Sequence, residues 1–377
     1  MTILIQLFSM MKASWVPAFA GMTDLKRDEP MTDFSPREIV SQLEAAVAKG
    51  VIERNAADNL AEFLIQNRDA ASEPDEERLR LITGFNDIFV TIGIALFLGA
   101  LNYLLGFGLQ GSLGVAIASW GLAEVFTKRK RMALPSIVLL VIFVLSSTTS
   151  AMHFFAPDLL DWDPYDGSLH GLTLGFAAIA ASALHWFRFH VPITIAAFAA
   201  GLVLTAITLI AMYNENIILN YPVAVFAPLG IAVFLAAMKF DMSDRNRVTQ
   251  RTDIAFWLHL LAAPLIVHSI VRPLLTDTTV DMASAVAIVS LFAVLSLVAL
   301  TVDRRALLVS SLLYLGYASS KFLSWSGVAS ENAGLSILIV GGTVLVLSVA
   351  WQPLRRIILQ ILPAAIRDLV PPAAKPI

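Results

Sequence analysis

The sequence predicts an all-α fold, in which a polytopic transmembrane helix bundle of about ten spans follows a small N-terminal cytoplasmic helical hairpin. Three observations predict it. First, 57% of the 377 residues are hydrophobic and only 15% are charged, with a mean hydropathy of +0.75. Soluble domains carry about 25% charged residues, so a chain this apolar needs lipid as its solvent. Second, the apolar residues form ten separate segments. Third, most of the Lys and Arg residues that lie between those segments fall in every second connection.

Residues 1–30 are left out of the predicted fold. Their apolar run is about half as long as a membrane span requires. A signal peptide cleaved after Ala20 would need a Lys or Arg before the apolar run, and none is there. The run from Trp15 to Thr23 resembles peptides translated from repeated intergenic DNA in proteobacteria. We therefore expect Met31 as the true start and residues 1–30 as a disordered or wrongly included leader.

Residues 31–82 predict a cytoplasmic helical hairpin followed by an acidic linker. Ser35 can cap the first helix, Glu38 completes a capping box, and Gly50 ends that helix. The second helix is expected from about residue 54 to residue 68. A packing or dimerising module explains this hairpin. A DNA-binding helix-turn-helix would need a basic face, which the acidic hairpin lacks, so no nucleic acid partner is predicted.

Residues 83–352 predict the transmembrane bundle. Its apolar segments are 86–107, 110–127, 133–155, 168–187, 191–212, 221–239, 254–273, 282–302, 306–322 and 332–351. Most of them reach the roughly 20 apolar residues that a helix needs to cross the hydrocarbon core. The second and ninth are short, and each ends near a lysine that can reach the interface, Lys128 and Lys321.

The distribution of Lys and Arg predicts the orientation. With a cytoplasmic head, the cytoplasmic connections and the C-terminal tail hold fifteen of these residues, and the connections on the other side hold only Arg272 and Lys321. Such an excess marks the cytoplasmic side of a bacterial inner membrane protein, so both termini are expected there. Residues 353–377 predict an amphipathic helix on that face, because Ile357 and Ile358 alternate with Arg355 and Arg356.

Spans four and five are rich in small residues. Gly171 and Gly175 lie four residues apart in span four, and span five contains Ala196, Ala200 and Gly201. Small residues at this spacing let helices approach closely in lipid. Close packing inside the bundle is the first interpretation, and a substrate-lined cavity is the alternative. In span two, Glu124 is expected to pair with Lys128, four residues further on.

Span seven, residues 254–273, is the most polar span. Pro264 should kink it and free a backbone carbonyl. His259 and His268 are nine residues apart and face opposite sides of the helix, whereas His268 and Arg272 share a face. The four residues could line a polar path for a proton or an anion. Alternatively, the two histidines form hydrogen bonds with neighbouring helices.

No residue pattern predicts a catalytic site, a cofactor site or a metal site, so the chain is not expected to be an enzyme. The absence of Cys excludes thiolate chemistry, and no phosphate-binding loop, dinucleotide fingerprint, GxSxG or HExxH pattern is present. A metal site on the outer face, built from His153, His170 and the aspartates of residues 158–166, is an alternative that no spacing requires.

The layout resembles the bacterial membrane proteins of domain of unknown function family 2157. The resemblance rests on the hairpin from Ile39 to Leu64, on the segment 81–89 that enters span one, and on the segment 255–260 of span seven. It covers the hairpin and the early spans best. It implies a helical hairpin before a bundle of many spans, and the family has no established activity to transfer.

Two functions are therefore expected. One is a transporter or permease-like protein of the bacterial inner membrane, with span seven lining a path for a small molecule or ion. The alternative is a non-catalytic membrane scaffold, sensor or regulatory module that acts through the cytoplasmic hairpin. The lipid bilayer is the partner that both share, and the sequence does not determine the oligomeric state.

Overall fold

The structure, a computed structural model, describes residues 43–44, 46–61, 85–155, 169–245, 247, 249–274, 282–325 and 332–372. Every regular element within these ranges is a helix, which confirms the all-α prediction. The chain separates into two units, Met1–Glu73 and Pro74–Ile377, here named the head and the bundle. The predicted leader and the capping residue Ser35 lie outside the described residues.

The described part of the head contains the turn between its two helices. Gly50 has a φ of +66°, and its N–H donates to the carbonyl of Val47 at 2.9 Å. The N–H of Val51 donates to the carbonyl of Ala46 at 3.0 Å. These paired bonds around a left-handed glycine form a helix C-cap, so the predicted helix end at Gly50 is confirmed.

Within its described ranges, the bundle contains ten long helices and a short C-terminal one. They are α1 (Phe85–Leu105), α2 (Leu109–Ala123, continued by a π-helix over Glu124–Arg129), α3 (Ala133–Phe155), α4 (Leu169–Phe189), α5 (Ile193–Asn220), α6 (Pro222–Ser243), α7 (Gln250–Leu274), α8 (Met282–Val302), α9 (Ala306–Trp325), α10 (Asn332–Ile361) and α11 (Ala364–Arg367). Within the described ranges, nine of them, all but α9 and α11, are long and apolar enough to cross a membrane. The protein is an integral membrane protein.

The shorter apolar stretch of α9 still runs along the bundle. Trp351 and Arg355 of α10 lie within 2.7 and 3.6 Å of Asp303, which lies between α8 and α9. The start of α9 and the later part of α10 are therefore at the same end. Because α10 begins 19 residues before Trp351, about 28 Å away, the chain from the start of α9 to the start of α10 must cover that distance in the opposite direction. This placement agrees with a crossing by the predicted ninth span, residues 306–322.

One end of the bundle gathers the connections α2–α3, α4–α5, α6–α7 and α8–α9. The first two and the start of α7 line one cavity, and an ion pair joins the last two. Each connection contains a non-glycine residue with positive φ, namely Arg131 (52°), His190 (54°), Arg247 (55°) and Asp303 (61°). A left-handed residue after a helix permits a tight reversal of the chain. This end is named the basic end.

Three helices have features that the predicted segments did not include. The π-helix over Glu124–Arg129 extends the second span with a wider turn. Asn214 is extended (φ −166°) inside α5, and its side chain accepts a hydrogen bond from the Asn216 N–H at 3.0 Å. This break is near the predicted end of span five at residue 212. By contrast, α10 continues through Pro353 to Ile361, so span ten and the start of the predicted tail form one helix.

The close packing predicted for spans four and five is confirmed between α4 and α5. A Cβ added at Gly175 would lie 2.2 Å from Thr205 Oγ1 and 3.1 Å from the Thr205 backbone nitrogen. One added at Gly171 would lie 2.5 Å from Thr208 Oγ1. Only glycine fits at these contacts. The hydroxyls of Thr205 and Thr208 donate hydrogen bonds to carbonyls of their own helix, so they keep a hydrogen-bond partner although the two helices pack closely.

Candidate functional site

His259 of α7 belongs to a buried ionic cluster with Asp241 of α6 and Arg304 of the α8–α9 connection. His259 Nε2 lies 2.8 Å from Asp241 Oδ2, and the Nε of Arg304 donates to the same oxygen at 3.2 Å. Arg304 Nη2 donates to Asp241 Oδ1 and, at 3.1 Å, to the carbonyl of Thr252. The three charged or ionisable side chains are at most 2% exposed.

The electrostatics of this cluster determine the form of His259. An ionised carboxylate only accepts hydrogen bonds, so Nε2 must carry a hydrogen and donate it to Asp241. The negative charge of Asp241 and the positive charge of Arg304 already cancel, and this favours the neutral form of His259. Its Nδ1 then holds a buried lone pair, and this atom has no hydrogen-bond partner among the described residues. The side chain of Phe234 contacts the imidazole ring edge-on, with ring centres 5.2 Å apart.

Asp303 is the centre of a second buried group at the same end. Its Oδ2 accepts from Arg247 Nη1 at 3.0 Å, and its Oδ1 accepts from Trp351 Nε1 at 2.7 Å. Arg355 lies 3.6 Å from Oδ1 and donates to the carbonyls of Pro371 and Pro372. Asp303 therefore connects the α6–α7 connection with α10, and through Arg355 with the C-terminal tail.

The four residues predicted to line a polar path are not brought together. His259 contacts α6, whereas His268 Nδ1 is hydrogen-bonded to the Tyr314 hydroxyl of α9. His268 and Arg272 are both exposed near the C-terminal end of α7. Pro264 lines a groove whose walls are apolar. The buried polar contacts of α7 are therefore those of His259 near the basic end, and they do not extend along the helix as far as Pro264.

The groove at Pro264 has a volume of about 450 Å³ and lies between α3, α4, α5 and α7. Its lining is Leu140, Val141, Val144, Leu145, Ala178, Ile193, Ala196, Ala197, Ala200, Gly201, Leu204, Trp257, Leu260, Leu261 and Pro264. Every one of these side chains is apolar. The small residues of α5 thus have two roles: Gly201 packs against α4 and, with Ala197 and Ala200, it also lines the groove.

A polar cavity of about 740 Å³, named the vestibule, lies at the basic end. Its polar and charged lining residues are Thr127, Lys128, Arg131, Ser136, Arg188, His190, Gln250 and Asp253. Ile193 and Trp257 line the vestibule and the groove alike, so the two spaces adjoin. Volumes of this size are typical of small-molecule sites, which range over about 300–1,000 Å³.

Glu124 pairs with Arg188 rather than with Lys128, the expected partner. Two parallel bonds of 2.6 and 2.7 Å join the Arg188 guanidinium of α4 to the carboxylate. The physical reason is the π-helix, whose wider turn changes the register that an i,i+4 pair needs. The bond connects α2 with α4 at the wall of the vestibule.

Sequence reasoning missed the residues that hold the basic end together. The sequence pattern indicated Arg247 and Arg304 only as charges that set the orientation and Arg355 also as part of the amphipathic tail, and it did not single out Asp241 and Asp303. One signal could have found them. Asp303 and Arg304 are adjacent, oppositely charged residues in a connection of only a few residues without glycine, a position from which their side chains can reach the ends of the neighbouring helices.

Within the described ranges, no group of three or more His, Asp or Glu side chains could hold a metal ion. The aspartates considered for an outer metal site lie outside the described residues. Comparisons with known proteins give no relative: no family model, no curated protein and no solved structure matches the chain. The resemblance to domain of unknown function family 2157 stays a prediction.

Proposed function

We propose that this integral membrane protein is a transporter or permease-like protein, and that the cluster of Asp241, His259 and Arg304 binds the proton that drives it. The basic end faces the cytoplasm in this proposal, as the excess of Lys and Arg predicts. The proposal keeps α7 as the functional helix, as expected from the sequence. It replaces the path through Pro264, His268 and Arg272 by the ionic cluster.

The observation that supports the proposal most is that His259 and Arg304 are both 0% exposed and that both bind the carboxylate of Asp241. His259 is nine residues after the first residue of α7, about 13 Å along the helix axis. Burial of a charged group inside a membrane costs at least about 2.5 kcal/mol, so such groups commonly mark proton or ion pathways.

The geometry suits the binding of one proton. A proton that reaches Nδ1 of His259 converts the ring to imidazolium, which still donates Nε2–H to Asp241. The cluster then holds two cations on one carboxylate, so the bonds of Asp241 must be shared differently between His259 and Arg304. That redistribution would loosen the contact between α6, α7 and the α8–α9 connection, which is the kind of change an alternating transporter needs.

The test uses purified protein in liposomes that enclose a pH-sensitive dye. A potassium gradient with valinomycin sets the membrane potential, and proton entry is followed with and without candidate small-molecule or ion substrates outside. We expect proton movement above that of protein-free liposomes. We expect His259→Gln, which can still donate a hydrogen bond to Asp241 but cannot bind the proton, to reduce it by roughly tenfold or more.

His268→Gln is the matched control, because His268 belongs to the same helix and is exposed. It should leave proton movement unchanged. Thermal unfolding of both variants shows whether the fold is intact. If wild-type protein moves no protons under any of these conditions, or if His259→Gln moves them as fast as wild type, the proposed coupling is wrong.

A second candidate function rests on the head. The contacts of the chain divide after Glu73, so the head forms a unit of its own, as a regulatory or scaffolding module would. In this alternative, deletion of residues 31–70 abolishes the cellular phenotype of the gene while the His259→Gln variant keeps it. Under the transport proposal the opposite result is expected.

A further inference from the structure

We propose that the vestibule and the groove together form a binding site for an anionic phospholipid of the surrounding bilayer. The head group lies in the vestibule and one acyl chain lies in the groove. This goes beyond the proposed function, because binding here requires neither His259 nor proton movement. We infer this ligand because the groove is apolar, the vestibule is positively charged, and the two adjoin as one continuous space.

The apolar half matches an acyl chain in chemistry and in length. All fifteen residues that line the groove are apolar, so nothing in it would bind a polar substrate. Along α5 the lining runs from Ile193 to Leu204, about 16 Å of helix. One leaflet contributes half of a hydrocarbon core of about 30 Å, so the groove is as deep as a single leaflet.

The charged half favours an anionic head group. Arg188 is paired with Glu124, so its charge is balanced. Two further cations, Lys128 and Arg131, line the vestibule with one carboxylate, that of Asp253, which leaves an excess of positive charge. Both cations are exposed, as contact with a mobile lipid head group requires.

Backbone dipoles add to this field. The first residues of α3, α5 and α7, namely Ala133, Ile193 and Gln250, all line the vestibule. Helix N-termini carry a partial positive charge and N–H groups that bind phosphate oxygens. The C-terminal turns of α2 and α4, which carry the opposite partial charge, also reach the vestibule, so three helix N-termini outnumber two C-termini there.

A separate observation points to a ligand. Thr127 lines the vestibule and is more than nine-tenths buried, and its hydroxyl has no hydrogen-bond partner in the part of the chain that the structure describes. A buried hydroxyl without a partner costs about 1–3 kcal/mol, whereas most threonines of the bundle donate to their own helix. A phosphate oxygen in the vestibule would accept this bond.

The junction of the two halves agrees with the membrane depth of a lipid. Trp257 lines both spaces, and tryptophan is enriched where head groups meet hydrocarbon. If the basic end faces the cytoplasm, the vestibule opens to the leaflet that carries most anionic lipid. A bilayer lipid can enter sideways where the lining residues Val141, Leu145 and Pro264 are exposed.

The experiment uses the full chain in phosphatidylcholine nanodiscs that contain a phosphatidylglycerol with a photoreactive diazirine in its acyl chain. After illumination, mass spectrometry should locate the label in α3, α5 and α7 at the groove. Unlabelled phosphatidylglycerol should compete, and inorganic phosphate should not. The double variant Lys128→Gln, Arg131→Asn should reduce labelling by roughly tenfold or more, because each basic residue strengthens binding of an anionic lipid several-fold.

Matched variants separate a site from general lipid contact. Arg129→Gln with Lys130→Gln removes two charges from the same connection outside the vestibule lining and should leave labelling unchanged. Ala197→Trp should block the groove, whereas Leu209→Trp, on an exposed part of α5 outside it, should not. Thr127→Val should weaken labelling without loss of thermal stability.

Three results would overturn the proposal. They are equal labelling by a photoreactive phosphatidylcholine, labelling that the Lys128 and Arg131 variants do not change, and displacement by inorganic phosphate alone, which would indicate a simple anion site. The proton assay on His259→Gln is independent of all three. A lipid-binding protein without proton movement, or the reverse, would therefore show which of the two proposals fails.

Discussion

Arg247 and Asp303 form an ion pair at 3.0 Å although each has a left-handed backbone, with φ of 55° and 61°. This conformation costs a non-glycine residue about 1 kcal/mol or more of conformational free energy. Glycine would adopt it at lower cost at either position. The side chains explain the choice of residues. They are 6% and 5% exposed, and their bond joins the α6–α7 connection to the α8–α9 connection.

Asp303→Asn should destabilise the protein strongly. The amide still accepts a hydrogen bond from Trp351 Nε1, but it removes the carboxylate charge that Arg247 and Arg355 share. Loss of one partner of a buried ion pair costs about 3–5 kcal/mol. The free energy of unfolding in mixed micelles, titrated with a denaturing detergent, measures this loss.

Asp368→Asn is the control for that measurement, because Asp368 is exposed in the C-terminal tail. It should change the unfolding free energy by about 0.5 kcal/mol or less. Equal stabilities of Asp303→Asn and Asp368→Asn would mean that the buried group contributes nothing to the fold, contrary to the contacts of Asp303.

The pair of Glu124 and Arg188 should contribute far less, although its two bonds are shorter. The side chains are 30% and 41% exposed, so water and salt screen their attraction. A double-mutant cycle with Glu124→Gln and Arg188→Gln should give a coupling of about 1 kcal/mol or less, which decreases at high salt. A coupling of several kcal/mol would indicate that the site is much drier than its exposure suggests.

Gly175→Ala should separate α4 from α5. The new methyl group would meet the backbone of Thr205 at 3.1–3.2 Å in addition to its hydroxyl, and a backbone cannot move aside as a side chain can. We expect destabilisation of about 1–3 kcal/mol, typical of overpacking. Gly341→Ala in α10 is the control, since nothing lies within 4 Å of its added Cβ. It should be neutral or slightly stabilising, because alanine favours the helix.

The sequence predicted much of the fold because lipid imposes simple rules on it. A span needs a minimum number of apolar residues, and the polar backbone must be satisfied within each helix, so long apolar runs identify helices directly. The small residues of spans four and five predicted close packing for a similar reason. The break at Asn214 also lies where polar residues end the apolar run.

The site could not be predicted in the same way, because side-chain partners distant in sequence determine it. Asp241 and Arg304 are 63 residues apart, and no local pattern indicates that they share a bond with His259. Helical spacing correctly separated His259 from His268, but it could not identify the helix that each one contacts. Likewise, the π-helix after Ala123 moved Glu124 away from Lys128, and no propensity rule predicts such a turn.

The topology can be tested directly, because the chain has no cysteine and every introduced one is unique. Gly108→Cys and Tyr221→Cys place thiols at the end opposite the basic end, whereas Lys130→Cys and Ser243→Cys place them at the basic end. With the basic end in the cytoplasm, a membrane-impermeant maleimide should label the first two in intact cells and the last two only after permeabilisation. Ser330→Cys, between α9 and α10, should behave like Gly108→Cys if α9 crosses the membrane. Labelling of Ser330→Cys only after permeabilisation would leave α9 on the cytoplasmic side, which would be incompatible with the bonds from Trp351 and Arg355 to Asp303.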